Sequence, residues 1–123
     1  MVKSINKFVR AAFDFRQQRR DAEKAKKFAG EFGIETSFGS YDDLLNDPKV
    51  DAVYVATPHP QHLEWAMKAM AKKKHVLIEK PLAINQPDAM AIFAAAREHD
   101  VFAMEAFMYR CHPQTAKLVE LIK

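Results

Sequence analysis

The 123 residues are 49% hydrophobic, 28% charged and 11% aromatic, the balance of one soluble globular domain rather than of a disordered or fibrous chain. A formal charge of +3 sits partly in two short basic runs, 16–20 and 72–74, which lack interleaved aromatics and a reading helix and so predict solvated helix faces and no nucleic-acid partner. No apolar stretch approaches the roughly 18 residues of a spanning helix, the N-terminus lacks the apolar core of a secretory signal, and the lone Cys111 excludes an internal disulfide or a thiolate metal cluster, so a cytoplasmic protein with no membrane segment is expected.

Residues 1–20 are ambiguous. Ile5, Phe8, Val9, Ala12 and Phe13 fit a helical stripe, which is the favoured reading, while FVRAAFDF also alternates as a strand does. Beyond them, Asp21 is placed to cap a helix over 22–32 whose inner face is Ala25, Phe28, Ala29 and Phe32, with Gly33 as its left-handed C-cap. Ile34 to Phe38 reads as a short strand. Ser40 and Asp43 resemble a capping box for the small helix YDDLL, which stops at Asn46, Asp47 and Pro48.

The segment DAVYVA, 51–56, is apolar on both faces, as a buried parallel strand is. Leu63, Ala66, Met67 and Met70 then return to helical spacing, ending at the lysines 72–74. HVLIE, 75–79, is the next strand, and Pro81 biases Lys80 to an extended backbone at its carboxyl end. Asn85, Pro87 and Asp88 open a helix with the stripe Ala89, Ile92, Phe93 and Ala96. Val101 to Met104 is a further strand, and Pro113 opens a last helix bearing Leu118, Val119, Leu121 and Ile122. This alternation predicts an α/β fold with a parallel sheet and crossover helices, with no internal repeat and no linker that divides the chain. Met67, Met70, Met90, Met104 and Met108 are expected in the core, and Cys111 is expected as a small packing residue.

Ligands of open α/β sheets bind beyond the carboxyl ends of the strands, which singles out TPHPQH at 57–62, EKP at 79–81 and EAFMYRCHP at 105–113. Lys80 is the strongest candidate. A lysine ending a buried strand is poorly solvated, and lowered basicity would suit it to proton transfer, with anion binding, pairing with Glu79 or snorkelling to solvent as the alternatives. His62, in the first turn of a helix, reads as solvated or cap-like, with a polar contact to the cleft as the alternative. His59, His62, His75, His99 and His112 lack the spacing of a metal site, so no metal is expected. The glycines at 30, 33 and 39 do not make the G-x-G-x-x-G of a dinucleotide loop.

DAVYVATPHPQHLEWAMKAMAKKKHVLIEKPLAIN, followed by VFAMEAFMYRCHPQ, closely resembles the second half of the Rossmann domain in the Gfo/Idh/MocA oxidoreductases, over about residues 20–123. TPHPQH and EAFMYR look most like the dihydrodiol dehydrogenase branch, beside xylose dehydrogenases. The resemblance implies NADP or NAD as cofactor, a small polyol, sugar or diol as substrate, and hydride transfer with Lys80 assisting removal of the hydroxyl proton. It further implies that Thr57, Pro58 and His62 line the cofactor cleft, that Glu79 lies near the nicotinamide ribose, and that Arg110 reaches the nicotinamide end. Arg20 matches the position that binds the adenosine ribose or its phosphate. Measured against that family the chain reads as an incomplete Rossmann-like sheet over 1–123. It lacks the first strand, its glycine loop and the substrate domain, and is expected to be weakly active or inactive alone. The alternative is a non-catalytic interaction or remnant protein that self-associates or pairs with a full-length relative.

Overall fold

The computed structural model describes residues 22–122, so Arg20, the cap at Asp21 and the question of helix or strand over 1–20 lie outside the described residues. Helix α1 (Ala22–Glu31) ends where Gly33, at φ 63°, turns left-handed and the Ile34 N–H closes on the Ala29 carbonyl at 2.8 Å. Only part of its expected inner face is covered: Ala29 is buried, while Phe32 is 66% exposed. Residues 34–38 form no strand, contrary to the sequence expectation. A strand needs a partner, and among the described residues no strand pairs with them.

Helix α2 (Tyr41–Asn46) follows its expected cap, the Ser40 hydroxyl accepting the Asp43 N–H at 3.1 Å, and buries Leu44 and Leu45. Strands β1 (Ala52–Val55), β2 (His75–Ile78) and β3 (Ala103–Glu105) then form one parallel sheet in the order β1-β2-β3, each slightly shorter than or shifted from its sequence-read span. Helices α3 (His62–Ala71) and α4 (Gln86–His99) are the two crossovers, and they pack on each other. Successive right-handed crossovers that step the same way across a sheet put their helices on one face.

The register explains which side is core. Val53 pairs with Val76, and Val55 with Ile78; all four are buried, clustered with Ala66, Ala69 and Met70 of α3 and Ile92, Ala95 and Ala96 of α4. The small alanines let the two helices approach the sheet and each other closely. The alternate row, Tyr54, Leu77 and Met104, faces the other way and is only partly covered. Of the five methionines expected in the core, only Met70 is there; Met67, Met90, Met104 and Met108 are exposed, because the other side of the sheet and the outer helix faces have nothing over them among the described residues. Cys111 is likewise exposed rather than packed.

Helix α4 begins as read from the sequence: Asn85 Oδ1 accepts the Asp88 N–H at 2.9 Å and Pro87 lies in the first turn. Asn85→Ala should therefore lower stability by about 1 kcal/mol, measured by urea unfolding. Helix α5 (Pro113–Leu121) has no buried residue and packs on the 3-10 turn Met108–Cys111.

Candidate functional site

The polar residues gather where β1, β2 and β3 end. After β1 the chain passes through Ala56, Thr57 and Pro58 into a 3-10 turn, His59–Gln61, that runs directly into α3. After β2 it passes through Glu79 and the cis Lys80–Pro81 peptide. Backbone bonds continue the sheet into both loops, with the Glu79 N–H donating to Val55 O at 2.9 Å and the Ala106 N–H to Ile78 O at 2.7 Å. The Leu82 N–H donates to Glu105 Oε1 at 2.9 Å, so the carboxylate ending β3 holds the loop that follows β2. The sequence reading marked the segment from Glu105 but did not single out that carboxylate.

His62 binds the first two loops together. Its Nε2 lies 2.8 Å from the Thr57 carbonyl and its Nδ1 lies 2.9 Å from the Pro81 carbonyl. The ring is 2% exposed, so the solvated or cap-like reading is corrected. Nor does its ring edge point at an open cleft, since both nitrogens face protein carbonyls. The local signal was present: His62, Ala66, Ala69 and Met70 share the buried stripe of α3, whereas the stripe drawn through Leu63 and Met67 is rotated from it.

Thr57 is 8% exposed and its Oγ1 has no hydrogen-bond partner. Beside it an apolar groove follows the outer edge of β1, lined by Tyr41, Leu45, Val55 and Trp65. Pro58 is exposed at the same rim.

Lys80 is exposed, which corrects the expectation of a poorly solvated amine. The strand under it is buried, but the backbone has left the sheet by Lys80 and turned the side chain outward. No ion pair joins it to Glu79; instead Glu79 Oε2 accepts the Lys80 backbone N–H at 3.0 Å. Glu79 Oε1 accepts the hydroxyl of Tyr54, a residue the sequence reading passed over. Arg110 lies exposed in the turn after β3, with no side-chain hydrogen bond or ion pair to the other described candidates. The structure thus brings Thr57, His62, Glu79 and the Lys80 backbone to one rim and leaves Arg110 at its margin.

Burial, then the hydrogen bond to Glu79 and its negative charge, push the Tyr54 phenol up from 10.0 to about 12. A raised value in the folded chain means that the stability it supplies is full below about pH 10 and is lost as pH rises toward 12. Urea unfolding across that interval should show a steeper alkaline loss for the wild type than for Tyr54→Phe. Equal slopes would place the phenol in solvent. Among the described residues no group of three His, Cys, Asp or Glu is arranged to hold a metal ion, and no helix is long and apolar enough to cross a membrane.

Comparison with known proteins agrees with this arrangement. The D-xylose 1-dehydrogenase (NADP(+)) 2 of Haloferax volcanii is 43% identical over 103 residues, which are 84% of this chain and 32% of that protein. The trans-1,2-dihydrobenzene-1,2-diol dehydrogenase of Danio rerio is 42% identical over 103 residues, 84% of this chain and 31% of its own length. A 3-ketoreductase from Actinomadura kijaniata, solved with TDP-benzene and NADP, superposes with a TM-score of 0.77 at 42% identity over 84% of this chain and 32% of that one. The chain therefore spans about a third of the length of the curated relatives it matches. A profile described as an oxidoreductase family with an NAD-binding Rossmann fold matches residues 18–107, close to the span expected from the motifs. A parallel sheet whose loops put TPHPQH and EKP on one rim, together with that match, makes this chain a member of the Gfo/Idh/MocA oxidoreductase family.

Proposed function

We propose that this chain supplies part of the dinucleotide site of an NADP-dependent dehydrogenase acting on a sugar or diol carbon. The observation that carries the reading is the buried Thr57 Oγ1 without a partner at the carboxyl end of β1. An unsatisfied buried hydroxyl costs about 1–3 kcal/mol, which a polar group of a bound nucleotide would relieve, and the carboxyl rim is where such sheets bind nucleotides. Thr57 and Pro58 would hold the cofactor from β1, Glu79 from β2 and Arg110 from the turn after β3, with Arg20 at the adenosine end. NADP is favoured over NAD by the cofactor in the name of the Haloferax volcanii relative and in the Actinomadura kijaniata structure.

Bound there, the nicotinamide would accept the hydride that leaves the carbon bearing the substrate hydroxyl. Lys80 is exposed on the rim, free to meet that hydroxyl, and its Nζ, as the neutral amine, would take the hydroxyl proton and become the ammonium as the carbonyl forms. Fluorescence titration with NADPH and NADH tests the cofactor site. Saturable NADPH binding is expected, weaker than micromolar because the 123 residues contain no glycine-rich pyrophosphate loop, and Thr57→Val should weaken it further. Absence of NADPH binding at millimolar concentration would overturn the reading.

One observation favours self-association beside it. Leu118, Val119 and Leu121 of the last helix and Ile122 at its end are 42–74% exposed, and burying one such side chain stabilises by roughly 1.5 to 3 kcal/mol. Sedimentation over a hundredfold range of concentration should show growing mass, and Leu118→Glu with Leu121→Glu should suppress it. A constant monomer mass would end this second reading.

A further inference from the structure

Lys80 is the residue to which the proposed chemistry is assigned, yet its exposed side chain makes no hydrogen bond or ion pair among the described residues; its position depends on its backbone. Two contacts hold the near side: Glu79 N–H on Val55 O, and the Lys80 N–H on Glu79 Oε2. On the far side, Leu82 N–H rests on Glu105 Oε1 and Pro81 O rests on His62. The His62 ring also grips the Thr57 carbonyl, on the same residue whose hydroxyl is buried and unsatisfied. Neither carbonyl can donate, so a ring nitrogen bonds its carbonyl only when it carries the proton, and a ring with one N–H donates to one of the two while its other nitrogen lies against the second. His62 is therefore the single side chain among the described residues that lies within hydrogen-bond distance of both the loop after β1 and the loop after β2.

We infer that His62 is a positioning residue, whose ring fixes the distance between the Thr57 loop and the Lys80–Pro81 turn from behind without touching the cofactor. The consequence for cofactor binding rests on the dinucleotide reading above; the clamp itself does not. A buried ring set between two carbonyls is a rigid spacer, because imidazole has fixed geometry between its two nitrogens and only two torsions to lose.

The test has two independent arms. In the first, long-range proton–nitrogen NMR on the labelled wild-type chain should show hydrogen-bonded ring N–H signal in slow exchange, with coupling to a Thr57 or Pro81 carbonyl carbon. A ring exchanging at the solvent rate overturns the clamp. The same arm measures amide exchange in His62→Phe, which fills the space without donating: Lys80 and Leu82 should exchange at least tenfold faster while β3 and α4 are unchanged, and His62→Gln, which keeps one donor, should fall between. Uniformly faster exchange throughout the chain would mean a general structural role and would overturn the inference; if the Phe variant does not fold, the wild-type ring spectrum and the Gln variant decide.

In the second arm, His62→Phe should weaken NADPH binding at least tenfold, and its effect should shrink when Thr57 is already Val, since the ring acts through that loop. Full additivity, or wild-type affinity in the Phe variant, overturns the positioning role. Failure of the wild type to bind NADPH would instead overturn the dinucleotide reading, leaving the clamp to stand or fall on the ring and amide spectra.

Discussion

Ile78→Ala is expected to destabilise the chain by about 2–5 kcal/mol. Ile78 is fully buried on the central strand, paired with Val55 on one side and with Glu105 on the other, and it belongs to the cluster that includes Met70 and Ile92. No neighbour can collapse into the space without moving two strands, so the cavity would persist. Total stabilities of domains are about 5–15 kcal/mol, and a loss of this size leaves a substantial unfolded fraction. Met104→Ala is the control: Met104 lies on the alternate row at 43% exposure and should cost much less. Urea unfolding of both variants checks the result, and similar losses would mean that the inner face of the sheet has been misassigned.

The second large effect concerns chemistry. On the proposed reading, Lys80→Ala should slow hydride transfer to NADP+ by about 10²–10⁴, the usual contribution of a positioned acid or base. Stopped-flow reduction of NADP+ in the presence of D-xylose or a trans-dihydrodiol, the substrate classes in the relatives' names, measures it. Lys80→Arg should not restore the rate, because guanidinium stays protonated and cannot take the hydroxyl proton. Retention of the rate within tenfold by Lys80→Ala would remove Lys80 from the reaction.

Much of the fold was legible because its signals are local. Ser40 with Asp43, and Asn85 with Pro87 and Asp88, are cap chemistries complete within four residues, and both helices begin where those residues put them. The apolar runs DAVYVA and HVLIE became strands because each found an adjacent parallel partner. Ile34 to Phe38, with only Ile34 and Phe38 apolar, forms no strand and pairs with none among the described residues, an outcome that no local pattern reports. The site divides the same way. EKP and TPHPQH were recognised from their place after strands, whereas the burial of His62 depends on a carbonyl 19 residues further along the chain. The burial of β2 does not reach Lys80, because the solvent begins where the ladder ends.

The order of the strands also bears on how the chain acquires its structure. Each strand lies beside the one made just before it, and the intervening helix packs onto the pair it connects. Among the described residues no pairing in this sheet waits for a distant segment, so loop-closure entropy is met in small successive steps instead of one large one. As the polypeptide leaves the ribosome, β1, α3 and β2 can dock as soon as they are exposed, and α4 with β3 then extends an existing template. Growth of this kind is vectorial, running from β1 to β3 among the described residues.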